Sequence, residues 1–280
     1  MDKRLDDFSA TKLVKASIKA NWENYHYCLG CAPNVELSVS RYLTWLVTNM
    51  RDHFMNLVVC TDLPQEGAGE LIDNALNHFI FLNIRELSWL AKEGVRASRL
   101  KKYLDARGLT FRESFAIEMA VDLSQLNENI QAENELKIVP VENNETLKQW
   151  IHAASLGFGI SPEVEEIWYD FFAETVFDNP FRTYLAILNG RPVGTSQLFT
   201  SAGVAGICNV SCVPEARGQG IGSKSTLASL LEARQRGYHV GVLQASSMGF
   251  NVYRKLGFED FGKLSVFLWE NKRPANVLAH

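Results

Sequence analysis

The sequence predicts an α+β protein, and three observations carry that expectation. From residue 136 to 270, β-branched and apolar runs of strand length alternate with runs of helical spacing. Within this stretch, Ile207 to Val213 is closed by Pro214 and leads through Arg217-Gly218-Gln219-Gly220-Ile221-Gly222 into a segment whose leucines recur at 227, 230 and 231. That is a strand, a glycine loop and a helix. The third observation is a similar ending in the two halves: Lys102–Leu109 precedes a strand-like Phe115–Leu123 as Tyr253–Phe258 precedes a strand near Val266. Each joint is a helix end, a glycine cap, an apolar residue and a closing strand.

In order along the chain, Cys28-Leu-Gly-Cys31 ends a helix before Pro33. The N-terminal half then runs to residue 124 as a smaller α+β domain. No glycine loop is read ahead of its helices, so no cofactor is assigned to it. Residues 125–135 are polar, lack periodic apolar positions and read as a linker. A second domain fills residues 136–280. It opens with a strand at Leu136–Glu142, followed by helices at Glu145–Leu156 and Pro162–Phe177. Strands are expected at Thr183–Leu188, Pro192–Thr200 and Val204–Val213, with Asn189-Gly190 as a hairpin turn. After the loop come a helix at Ser223–Arg236, a strand at Val240–Ala245, a short helix ending near Leu256 and a strand near Lys263–Trp269.

The chain has 280 residues, 46% hydrophobic and 21% charged, which is enough apolar material for a sizeable core. A net charge of −4 argues against a nucleic-acid surface, which is usually basic. The N-terminus shows no apolar signal segment and no apolar run is long enough to span a membrane. Five scattered cysteines fit a reducing, cytoplasmic setting. Cys28 and Cys31 have no second pair at metal-ligand spacing, so no metal site is expected. Cys208 and Cys212 read as small hydrophobes in a strand; the alternative, an acyl-accepting nucleophile, has no histidine nearby in sequence.

The loop itself points to a phosphorylated ligand. A helix start has N–H groups with no intrahelical partner and a dipole that favours negative charge. Glycines leave no Cβ between those amides and a phosphate. The G-x-G-x-G spacing is not the dinucleotide G-x-G-x-x-G, and residues 238–246 hold no acid for a ribose. A P-loop would need glycine where Ser223 stands.

R-x-x-G-x-G at Arg217–Gly222, read with Tyr253-Arg254-Lys255-Leu256-Gly257-Phe258, resembles the GNAT superfamily of acetyl-CoA-dependent N-acetyltransferases. The resemblance covers residues 136 to 270 and implies a mixed sheet flanked by helices. The weaker N-terminal half is then a candidate degenerate copy. The resemblance also implies acetyl-CoA as cosubstrate and a small-molecule or peptide amine as acceptor. Arg217, Gly218, Gln219, Gly220, Ile221, Gly222 and Ser223 would hold the pyrophosphate. Lys224 could add charge or be ordinary solvated surface. The backbone of Cys212 and Val213 would meet the pantetheine arm and polarise the acetyl carbonyl. Tyr253 would protonate the departing thiolate. Ser246 stands where many members carry an asparagine that contacts the arm, with Ser247 beside it and Gly249 at the usual small-residue position. Glu163, Glu165, Glu166 and Asp170 are near where such enzymes build an acceptor site, and read equally well as a solvated helix face. Two functions follow: direct acetyl transfer in a ternary complex, or a non-catalytic acetyl-CoA sensor, for which Tyr253 would be superfluous.

Overall fold

A computed structural model of the chain describes residues 4–32, 35–48, 56–60, 63–64, 66–92, 97–133, 135–161, 165–173, 176–177 and 180–271. The elements run α1 (Thr11–Leu29), β1 (Val35–Val39), β2 (Leu43–Thr48), β3 (Leu57–Cys60), α2 (Ala68–Phe81), β4 (Glu86–Lys92), α3 (Ala97–Asp105) and β5 (Thr110–Asp122). They continue with β6 (Leu136–Pro140), α4 (Asn144–Phe158), α5 (Glu165–Ala173), β7 (Phe181–Leu188), β8 (Arg191–Ser201), β9 (Val204–Cys212), α6 (Ile221–Gln235), β10 (Val240–Ala245), α7 (Ser247–Leu256) and β11 (Glu259–Glu270). The fold is mixed α+β, as the residue pattern predicts.

The chain forms two compact units, Met1–Pro33 with Ile117–Phe261, and Asn34–Ala116 with Gly262–His280. The boundaries differ from the 124 and 136 drawn from composition, for two reasons. Helix α1 packs in the first unit: Val14 and Ile18 are buried with Ala120, Val204, Val240 and Val242. The closing strands also pair away from their own halves. Residues 117–122 of β5 lie antiparallel to β10, and residues 264–270 of β11 lie antiparallel to β4.

In the first unit, β6, β7, β8 and β9 pair antiparallel in sequence, β9 pairs parallel to β10, and β10 pairs antiparallel to β5. Asn189 and Gly190 both have positive φ (51° and 74°), so the expected hairpin turn is of the primed type that matches strand twist. Helix α4 starts in a capping box, with Thr146 N–H donating to Asn143 Oδ1 at 2.9 Å. It buries Leu147, Trp150, Ile151 and Ala154 at helical spacing. Residues of the expected helix at 162–164 and 174–175 lie outside the described residues.

The second unit repeats the pairing order. β1, β2 and β3 are antiparallel in sequence, β3 is parallel to β4 across α2, and β4 is antiparallel to β11. Its core gathers Leu43, Val58, Ile72, Phe79, Leu87, Trp89, Leu104 and Phe267. One expectation is corrected here. Gly67-Ala68-Gly69 opens α2, and Gly67 (φ 75°) has the left-handed N-cap conformation of Gly220 (φ 79°) at α6. A left-handed glycine therefore does precede a helix of this half, with a second glycine inside the helix's first turn. Strand β3 nevertheless pairs with β4 along its whole described length, Leu57↔Ser88 to Cys60↔Ala91.

Candidate functional site

The first unit's sheet opens where the glycine loop begins. β9 pairs with β10 only from Gly241↔Ala205 to Leu243↔Ile207, so Cys208–Cys212 have no described strand partner on that side. On the other side the β8 register shifts, from Gln197↔Cys208 to Thr195↔Ser211, which makes a bulge. Asn209 within it takes a left-handed φ of 50°, tolerable for asparagine. The Thr195 hydroxyl donates to Asn209 O at 2.7 Å and fixes the bulge from β8.

Below the opening, Pro214–Ala216 forms a single 3₁₀ turn and the loop enters α6. Gly218 and Gly220 have φ of 81° and 79°, the region that favours glycine. α6 has no side-chain cap and no acid in its first turn. Its first N–H groups are thus left for an anion. A Cβ on Gly222 would meet only Val210 Cγ1, at 4.0 Å, so the approach is open. These features fit a pyrophosphate. The Arg217 guanidinium donates to Gly157 O at 3.0 Å and Cys212 O at 3.4 Å, tying the loop to the end of α4. These two bonds hold the loop in place.

Two of the expected groups are already engaged within the chain. The Val213 N–H already donates to Val193 O at 2.9 Å, so it is not free for an acetyl carbonyl. The stretch before it, Cys208–Cys212, pairs with β8 and has no described partner on the β10 side. Cys212 is the last residue of that stretch, and burial raises its thiol pKa. Ser246 is the N-cap of α7, its Oγ accepting from Gly249 N–H at 3.2 Å. The hydroxyl proton remains for an outside acceptor.

Tyr253, on α7, is 8% exposed and lies edge-on to Phe258. A Cβ on Gly249 would fall 2.8 Å from its ring, so glycine there makes room for it. Burial, and secondarily Cys208, raise the phenol pKa above its ordinary 10.0. Cys208 itself is pushed up to about 12 by burial, which keeps it a thiol and disfavours a nucleophilic role.

Glu165 accepts from the Ser155 hydroxyl and lies 3.1 Å from His152 Nδ1, so it is engaged across α4 and α5. Glu166 and Asp170 are exposed, and Glu163 lies outside the described residues. Sequence reading missed His152, whose partner is 13 residues away, and the polar set around the bulge. Among the described residues, no His, Cys, Asp and Glu group could hold a metal, and no helix is long and apolar enough to cross a membrane.

The model of the acetyltransferase (GNAT) family matches residues 145–258, the span that holds the bulge, the loop and Tyr253. Residues 145–258 are a GNAT-family domain. Among solved structures, the chain is similar to a GCN5-related N-acetyltransferase from Kribbella flavida at 16% identity, covering 95% of this chain and 97% of that one, with a TM-score of 0.65. It is similar to a GCN5-related N-acetyltransferase from Sphaerobacter thermophilus at 15% identity, covering 84% and 82%, with a TM-score of 0.60. A tandem GNAT protein from the clavulanic acid biosynthesis pathway covers 99% of both chains at 14% identity and a TM-score of 0.59. At such identity the likeness is one of fold, and it extends the GNAT fold over both halves. No curated protein matches the sequence.

Proposed function

We propose that this protein transfers an acetyl group from acetyl-CoA to an amine, directly and within a ternary complex. The observation that carries the reading is the parting of β9 from β10 after Ile207, directly before the uncapped start of α6. A free strand edge suits an extended amide-bearing arm, and a glycine-lined helix start suits a pyrophosphate.

Acetyl-CoA supplies a thioester whose C–S bond breaks as the amine nitrogen bonds to the carbonyl carbon. Backbone N–H groups of Cys208–Cys212 would stabilise the oxyanion. The Tyr253 phenol, kept protonated by burial, would give its proton to the departing sulfur. The amine's proton leaves through water. Gly218–Ser223 would hold the phosphates by backbone donors, each worth roughly 1.5–3 kcal/mol to a charged group.

The test pairs two measurements on the full chain. Acetyl-CoA should raise the melting temperature far more than ATP or NAD. A panel of polyamines, amino acids, aminoglycosides and peptides with acetyl-CoA should then show amine-dependent release of free thiol. A larger thermal shift with ATP refutes the cofactor. No amine-dependent release, with acetyl-CoA bound, refutes the enzyme and leaves the sensor.

A further inference from the structure

We propose that Tyr25 is a positioning residue for acetyl transfer: from α1, far outside residues 145–258, it holds Asn209 and with it the bulged strand that faces the acyl group. This rests on the acetyltransferase reading.

Helix α1 presents Val14, Ile18, Asn21 and Tyr25 at spacings of four, three and four, which is one helical face. The first two are buried in the sheet. Asn21 keys the helix in place. Its Nδ2 donates to Phe199 O at 3.3 Å and Ser201 O at 3.2 Å. Its Oδ1 lies where a Cβ on Gly206 would be, at 2.1 Å, so the strand carries no side chain opposite it.

One turn further, Tyr25 reaches the bulge. Asn209 Nδ2 donates to the Tyr25 hydroxyl at 3.0 Å and to Gln197 Oε1 at 3.0 Å. Gln197 is buried and in turn donates to Thr183 Oγ1 at 3.0 Å. The neighbouring Cys208 thiol donates to the same glutamine, at 3.5 Å to Gln197 Oε1 and 3.6 Å to Gln197 O. The Tyr25 ring is fixed edge-on against Phe199 at 5.5 Å and Phe181 at 6.1 Å. Tyr25, Cys208, Asn209 and Val210 are all partly accessible, so this wall is not sealed in a closed core.

The bulge therefore has two supports. Thr195 holds its carbonyl from β8, inside the matched domain. Tyr25 holds its side chain from α1. Asparagine at a left-handed φ has local alternatives. Loss of the outer support would let Asn209 turn and shift the neighbouring N–H groups. Misplacement of about 1 Å at such a position slows catalysis severely.

The experiment compares wild type, Tyr25→Phe, Asn209→Gly and the double variant, all as full chains, with acetyl-CoA and an amine accepted in the panel. Phenylalanine keeps the ring and removes the hydroxyl. Glycine keeps the left-handed backbone and removes the amide. Tyr25→Phe should lower kcat roughly three- to tenfold, the size of one hydrogen bond, and Asn209→Gly, which also gives up the bond to Gln197, at least as much. The double variant should fall no further than the worse single one, because both remove the same bond. KM and dissociation constant for acetyl-CoA should stay within about twofold of wild type, well under that loss. An unchanged kcat for Tyr25→Phe, whatever its melting temperature, overturns the proposal and makes Tyr25 a docking residue. Multiplying losses in the double variant also overturn it. A wild type that transfers to no amine overturns the acetyltransferase reading itself.

Discussion

Gly206→Ala tests the seating of α1 with a single methyl group. The new Cβ would lie 2.1 Å from Asn21 Oδ1 and 3.2 Å from its Nδ2, so the amide must leave. Its two bonds, to Phe199 O and Ser201 O, go with it. Two neutral hydrogen bonds contribute roughly 1–3 kcal/mol together. Crowding in packed interior costs about 1–3 kcal/mol more. Replacing a strand glycine returns roughly 0.5–1 kcal/mol. The net loss is about 3 kcal/mol, or some 6–12 °C in melting temperature for a unit of this size. Asn21→Ala alone should cost about 2 kcal/mol, since it gives up the bonds without crowding. The decisive variant is Asn21→Ala/Gly206→Ala. The methyl on residue 206 then enters space that the amide has left, so the double variant should be more stable than Gly206→Ala alone. Urea unfolding followed by circular dichroism reads all four proteins. If the two changes add within about 0.5 kcal/mol, the close approach is absent and α1 sits differently.

Four further outcomes are expected. Gly222→Asp places a carboxylate at the loop with room for its Cβ, so it should abolish the thermal shift by acetyl-CoA while leaving the ligand-free melting temperature nearly unchanged; a retained shift places the phosphates elsewhere. Gly220→Asp is the poorer probe, because φ is 79° and Gln131 O would lie 2.4 Å from its Cβ. Tyr253→Phe should lower kcat by roughly 10²–10⁴ with acetyl-CoA affinity unchanged; a kcat within about threefold of wild type makes Tyr253 a packing residue. Because that phenol's pKa is raised above 10.0, the loss of its acid form is displaced to higher pH. A basic limb of kcat below pH 10 that persists in Tyr253→Phe belongs to another group. Burial lowers His26 to about 4 from 6.5, so the unfolded chain takes its proton first and stability is lost as pH falls through that window. The loss should reach roughly 2 kcal/mol at pH 5 relative to pH 7, and His26→Gln should remove it.

The local grammar of the C-terminal half was legible because it rests on near-neighbour chemistry. Asn189-Gly190 requires positive φ at both positions, and the strand Val240–Ala245 lies where its pattern puts it. The glycine loop, too, is a local signal. What escaped was long-range. Nothing around Tyr25 announces that its hydroxyl meets Asn209, 184 positions away. Asn209 reads as one polar residue in a strand until its φ is known. Val213 looked free because the donation of its N–H to Val193 O depends on a register that the bulge alters. Gly67-Ala68-Gly69 was available in the sequence, but its preceding strand is only four residues long and gave little warning. The division into units escaped because composition marks flexible segments, whereas pairing decides which strands belong together.

The placement of β11 has a consequence for how the chain is made. β4 lies parallel to β3 on one side, and its other edge is closed by residues 264–270. About 170 residues separate these partners, and synthesis proceeds at about 5–20 residues per second. The edge of β4 thus waits roughly 10–30 s on the ribosome for its neighbour. An open, apolar edge holding Leu87, Trp89 and Ala91 is a template for other strands during that time. Residues 136–280 made alone meet a related difficulty, since β10 then lacks residues 117–122 and the face covered by α1 is bare. Nascent chains stalled before residue 262 should associate with holding chaperones, and chains released after residue 270 should not.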